Sequence, residues 1–204
     1  MFYDLENPNK FIRDSALALD KRGIFIAQLM CLKSMLDKND IGNICHEHIE
    51  FYSLKSLKYL FESNGLEIFR IEENDVNGGS YRIFCRKLNK GSIKLAKENI
   101  LTSVKKFVKR VKRNKSITMK FINREVKKGK KIFLYGASTK GNTLLQYYSL
   151  NNKIIPFAAE RSPEKWNKFT IGTGIKIDTA AITATGIVCY GIIGYCFCIF
   201  SIFP

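Results

Sequence analysis

The sequence predicts an α/β fold in which two strand-bearing regions are joined by a long basic helical stretch. Three observations carry that expectation. Between residues 24 and 85 the chain reads strand, loop, helix, strand, turn, strand. From about Ile93 to Val126, apolar residues recur at helical spacing with lysine on the other faces. At Lys131 a strand pattern restarts and runs straight into a glycine turn and a further helix.

Asn7-Pro8 marks a helix start, and Phe11, Ile12, Ala16 and Leu19 follow at helical spacing. Arg22-Gly23 ends that helix. Residues 23–29 form a short, mostly apolar run suited to a strand buried on both faces. A connection of about fifteen residues follows, long enough to be a functional loop. It ends in ICHEHIEFYS. Ser53 is a suitable N-cap for a helix carrying Leu54, Leu57, Leu60 and Phe61 on one stripe, closed by Asn64-Gly65. Residues 66–71 read as a strand, 77–80 as a turn, and 81–85 as a second strand antiparallel to the first.

In the basic stretch, Ile93, Ala96, Ile100, Val104, Phe107, Val108 and Val111 form the apolar face, and Asn114-Lys115-Ser116 is expected to split it into two helices. Gly129 ends it. Residues 131–135 are a strand, 143–148 a helix and 154–159 the next strand. Glu160-Arg161-Ser162-Pro163 then lies at that strand's carboxyl end, where open α/β sheets bind ligands.

The 204 residues are 46% hydrophobic, enough for a buried core. Six cysteines (Cys31, Cys45, Cys85, Cys189, Cys196, Cys198) form no CxxC pair and no zinc spacing with histidine, which points to reduced thiols. The first residues lack the apolar core of a secretory signal, so a cytoplasmic chain is expected. The net charge of +16 favours anionic partners: nucleotides, phosphates, nucleic acid or acidic lipid. Much of it lies between Lys105 and Lys131, as a solvated helix face or an anion-binding one. A basic nucleic-acid-binding module is the less favoured reading. Phe107 and Phe121 fall at core-like spacing, so the stretch offers no aromatic platform for bases.

The two histidines of the chain flank one glutamate: His46, Glu47, His48. Imidazole is the side chain that ordinarily changes protonation near neutral pH. Three readings stand. In an extended segment His46 and His48 project to one side and Glu47 to the other, so a two-histidine metal site is conceivable. A catalytic metal usually takes a third protein ligand, and no spacing supplies one; no metal is expected. The histidines are otherwise structural, or one is a general base oriented by its neighbours.

A second candidate is the turn Gly136, Ala137, Ser138, Thr139, Lys140, Gly141 and Asn142. Strand, glycine turn, helix aims backbone N–H groups and a helix dipole at an anion. Lys140 adds a mobile positive charge, and Ser138 and Thr139 add hydroxyls. The lysine precedes the second glycine, so this is not a Walker A loop, and Ser138 breaks the full GxGxxG pattern. Such a turn also joins strand to helix without binding anything.

FYDLENPNKF, ICHEHIEFYSLKSLKYLFESNGLEIF, NGGSYRIF, and LYGASTKGNTLLQYY followed by IIPFAAERSPEKWNKFTIGTGIKI resemble, in that order, the nucleotide-sugar C-methyltransferases. These enzymes use S-adenosyl-L-methionine to methylate a carbon of a keto-sugar. The resemblance covers about residues 1 to 177. It implies the C-terminal half of a Rossmann-like methyltransferase sheet (1–88), a basic helical connector (89–127) and a second small Rossmann-like α/β domain that holds the sugar nucleotide (128–178). The family's cysteine-rich zinc module and glycine-rich S-adenosyl-L-methionine loop have no counterpart in the sequence, so an inactive fragment is expected.

The resemblance implies that a base removes the proton beside a keto group and that the enolate takes the methyl. His48 matches the family's base; His46 and Glu47 would orient the sugar or polarise its carbonyl. Cys45 replaces the tyrosine of the family's Tyr-His-Glu-His. The loop 136–142 would meet the nucleotide-sugar, with Lys140 near the phosphates. The alternative is a non-catalytic nucleotide-sugar-binding protein.

Beyond Asp178 the chain carries no charge, and the run Ile187 to Phe200 is long enough for a transmembrane helix. It is also rich in β-branched and aromatic residues and departs from the family. A truncated or frame-shifted end is the leading expectation for 179–204, with a membrane anchor or core strands as the others.

Overall fold

Asn7 caps the first helix, α1 (Pro8–Ala18). Its side-chain oxygen accepts the Lys10 N–H at 2.9 Å, and Pro8 sits where no amide is needed. The computed structural model describes residues 2–178 and the strands Ile187–Gly191 and Cys198–Ile202. These fall into two compact units, one of Met1–Lys38 with His46–Phe107 and the other of Asn39–Cys45 with Val108–Pro204.

The first unit holds a three-stranded sheet. Strand β1 (Phe25–Met30) is followed by α2 (Leu32–Lys38) and α3 (Leu54–Glu62), then by β2 (Leu66–Asn74) and β3 (Ser80–Lys87). The order is β1-β3-β2, with β3 antiparallel to both neighbours. A reciprocal pair of bonds between Ser53 and Ser56 starts α3. Ile12 of α1 and Leu57, Leu60 and Phe61 of α3 pack with Ala27, Leu29, Ile68, Ile83 and Cys85 of the sheet.

Burying β1 on both faces proves wrong. Ile24 and Ile26 are each 55% exposed, because the helices cover only the face that carries Ala27 and Leu29. The helix α2 lies inside the expected long loop; Leu32, Met35 and Leu36 stand at helical spacing there, but over only seven residues.

The basic stretch is a single helix, α4 (Ile100–Lys127). It begins later than the apolar period suggests. The amides of Asn89, Lys90, Gly91, Ser92 and Ile93 are already bonded to Glu67, Glu62 and the Ile68 carbonyl. Asn99 then caps the helix, accepting the Thr102 N–H at 3.1 Å. No break occurs at residues 114–116. The stretch contains no glycine or proline, and the Lys115 ammonium bonds the Tyr147 carbonyl while sitting 4.7 Å from that ring's centre. Phe107 is buried and so unavailable to stack on bases.

The second unit contains β4 (Lys131–Tyr135), α5 (Thr139–Tyr148), β5 (Phe157–Ala159), β6 (Lys176–Asp178), β7 (Ile187–Gly191) and β8 (Cys198–Ile202). The sheet order is β6-β5-β4-β8-β7, with β4, β5 and β6 parallel and β8 antiparallel to β4 and β7. Ile122 of α4 packs with Ile132, Leu134, Leu145, Ile155, Ala158 and Ile175. Together the units give a mixed α/β chain with two sheets. Ion-paired hydrogen bonds from Lys130, Arg124 and Lys128 hold the Glu125 carboxyl down at about 2.

The apolar run near the end is strand, not helix, over Ile187–Gly191 and Cys198–Ile202, as its β-branched and aromatic content favours. The rest of 179–204 lies outside the described residues, and with it the test of a frame-shifted end. Among the described residues no helix is long and apolar enough to cross a membrane.

Candidate functional site

The HEH motif belongs to the first unit. It is not extended: Cys45 bends and His46-Glu47 form a turn, so the alternating geometry behind a two-histidine metal pair does not apply. Among the described residues no group of three His, Cys, Asp or Glu side chains could hold a metal ion. His46 and Glu47 are exposed, and His48 is half-buried.

Two aromatic rings flank His48. Tyr3 lies edge-on with ring centres 4.5 Å apart, and Phe51 is similarly tilted at 6.4 Å. The Tyr3 carbonyl accepts the N–H groups of both Ile49 and Glu50 at 3.1 Å. One residue of the N-terminal turn thus fixes the backbone after His48 and walls one side of its ring. FYDLENPNKF held this signal, but sequence spacing could not say that Tyr3 would meet a residue 45 positions later. A groove in the same unit is lined by Ser53, Lys55, Lys58 and residues 95–101, and not by the histidines.

The glycine loop belongs to the second unit. Gly136 follows β4 with φ +88°, a left-handed conformation that glycine adopts without strain. Ser138 caps α5, its hydroxyl accepting the Gly141 N–H at 3.0 Å. The loop's amides divide into two groups. Gly136 N–H donates to the Ala159 carbonyl at 2.7 Å, and Ala137 N–H to Glu160 Oε2 at 2.8 Å. The N–H groups of Ser138, Thr139 and Lys140 meet no acceptor among the described residues. Anion-binding capacity therefore sits at the first turn of α5, not along the whole loop.

Glu160 and Lys165 clamp the loop from the carboxyl end of β5. Lys165 Nζ donates to the Ala137 carbonyl at 2.9 Å and lies 3.5 Å from Glu160 Oε2. Glu160 also accepts the Ser162 N–H at 3.0 Å, and its carbonyl accepts Trp166 Nε1 at 2.8 Å. The Ala137 and Ser162 N–H groups lower the pKa of the Glu160 carboxyl, with Lys165 adding to the effect. Ala137 is thus held at its N–H by one member of an ion pair and at its carbonyl by the other. Glu160 was legible as a residue near the ligand end of the sheet; its use in bracing the loop was not.

Sequence spacing also missed the segment that packs on α5. A short 3₁₀ turn, Ile41–Asn43, lies against it, and Lys140 Nζ is 3.6 Å from Asp40 Oδ2.

A family model described as "C-methyltransferase C-terminal domain" matches residues 75–185. C-methyltransferase NovU of Streptomyces niveus is 29% identical over 167 residues, covering 76% of this chain. The chain spans 40% of the length of that relative. Since the family model covers more than half of the 204 residues, and the relative carries the same activity in its name, the chain belongs to the C-methyltransferase C-terminal domain family.

Proposed function

We propose that the chain supplies the substrate grip and the base for S-adenosyl-L-methionine-dependent C-methylation of a nucleotide-linked keto-sugar. The carrying observation is the first turn of α5, where the N–H groups of Ser138, Thr139 and Lys140 meet no acceptor among the described residues and Lys140 adds an ammonium, in a member of this family. A diphosphate suits that turn because it meets backbone donors, the positive end of a helix dipole and an ammonium together.

The chemistry at the other motif follows from the keto group. A carbonyl acidifies the adjacent C–H, so a neutral imidazole can take the proton. The C–H pair becomes the enolate π bond, the carbonyl oxygen gains the charge, and the proton rests on His48. The edge-on ring of Tyr3 holds the imidazole's direction. His46 and Glu47, both exposed, are available to orient the sugar or polarise its carbonyl.

S-adenosyl-L-methionine supplies an electrophilic methyl group when bound. The first unit does not fit it: β1 passes through Cys31 directly into α2, with no glycine-rich turn there to receive such a cofactor. Nor do the described residues fit zinc, since they offer no ligand set.

The test separates grip from base. Calorimetry with dTDP is expected to show saturable binding. In D₂O the chain is expected to speed deuterium uptake beside the keto group of a dTDP-linked keto-sugar above the buffer rate. Binding without exchange supports a non-catalytic sugar-nucleotide binder; the absence of both binding and exchange overturns the reading. Lys140→Met is expected to weaken dTDP about tenfold, the scale of one hydrogen bond to a charged group. Unchanged affinity would remove Lys140 from the site.

A further inference from the structure

The segment Asn39–Cys45 groups with α5, while the residues on either side of it group with the other unit. Its fit against the helix is close. Gly42 is buried, and a Cβ there would stand 3.0 Å from Lys140 Cβ and 3.3 Å from the Lys140 carbonyl oxygen. Only glycine allows this approach without a shift of the neighbour. Asn39, at φ +60°, turns the chain into the segment.

That fit sets one carboxylate beside the Lys140 ammonium. Asp40 Oδ2 accepts Asn43 Nδ2 at 2.7 Å and lies 3.6 Å from Lys140 Nζ. Both members of the ion pair are only partly exposed, at 25% for Asp40 and 30% for Lys140. The unclaimed N–H groups of Ser138, Thr139 and Lys140 belong to the same helical turn. The ammonium suited to a phosphate is therefore already engaged by an anion of the chain itself.

We propose that Asp40 is a built-in competitor for this site. Its carboxylate holds Lys140 until a nucleoside diphosphate or its sugar ester takes the ammonium over. The proposal rests on the reading of the α5 N-terminus as the phosphate site. It adds a selectivity consequence. A weakly charged anion does not outcompete the tethered carboxylate, whereas a diphosphate, which also satisfies the three N–H groups, does.

The experiment is a double-mutant cycle read by calorimetry with dTDP at low salt, on the whole chain. Asp40→Asn is expected to bind dTDP about fivefold more tightly than the wild type, the upper range for a partly exposed ion pair. In the Lys140→Met background that gain is expected to vanish. Asp40→Ser is measured beside it, with thermal melts of both, so that one misfolded variant does not decide the outcome. Equal or weaker binding by the Asp40 variants, with the wild type binding normally, overturns the competitor and leaves the phosphate site standing. A gain that survives Lys140→Met also overturns it, since the carboxylate would then act without the ammonium. If neither wild type nor variants bind dTDP, the phosphate site itself falls and the competitor with it.

Discussion

His48→Ala is expected to slow deuterium uptake beside the keto group of a dTDP-linked keto-sugar by about 10²–10⁴-fold, the usual contribution of a positioned general base. Affinity for dTDP should hardly move, because the base and the α5 turn belong to different units. That split is the diagnostic. A histidine that merely supports the fold would, when removed, lower the melting temperature and affect binding and exchange together. Such a role is physically reasonable here, since His48 packs against Tyr3 and Phe51. His48 is half-buried, which suits either role and leaves the variants to decide between them. His46→Ala and Glu47→Gln should each cost about tenfold, as expected of groups that orient a substrate without carrying its proton. Exchange that survives in His48→Ala but disappears in His46→Ala would move the base by one turn position. Exchange unaffected in both would leave the motif structural.

The sequence made legible those features whose cause is local. Asn7-Pro8 and Ser53 carry their own cap chemistry and form as expected; the strand–glycine–helix path at 131–148 also forms, but its helix begins at Thr139 rather than at residue 143, because the Ser138 hydroxyl caps it earlier. Features that depend on partners distant in sequence were hidden. The helix α4 starts at Ile100 because residues 89–93 are engaged by Glu62, Glu67 and Ile68, which no periodicity reveals. Ile26 of β1 and Ile24 just before it are exposed because α1 and α3 pack on the opposite face of the sheet, which carries Ala27 and Leu29. At the candidate site the glycine turn was readable, but the division of its amides was not. Glu160 takes Ala137 N–H from across the strand ends, and Asp40 reaches Lys140 from a segment a hundred residues earlier in the chain. The HEH motif was conspicuous from composition alone, whereas Tyr3, which fixes its ring, came forward only with the fold.

The largest stability effect is expected at Glu67. Its side chain is fully buried at the start of β2, yet it remains a carboxylate. Burial alone would raise its pKa. The N–H groups of Asn89, Lys90 and Gly91, at 2.6–2.8 Å, and the Arg86 guanidinium, at 2.7 Å, outweigh burial and hold the group down at about 2, against an ordinary 4.5. Such a depressed carboxyl stabilises the fold above its unfolded-state pKa. The contribution fades as pH falls from about 4.5 towards 2 and is gone below both values. The shift corresponds to about 3 kcal/mol at neutral pH. Glu67→Gln keeps the volume but turns an amide towards three N–H donors, so a loss of similar size, about 2–3 kcal/mol, is expected. Thermal melts of the wild type and Glu67→Gln should therefore differ by about 10 °C or more near pH 7. The gap should narrow steadily between pH 4.5 and 2 as the wild-type carboxyl takes up its proton. A gap that stays constant over that interval would mean that the charge contributes nothing and that packing alone holds residues 88–93 against β2.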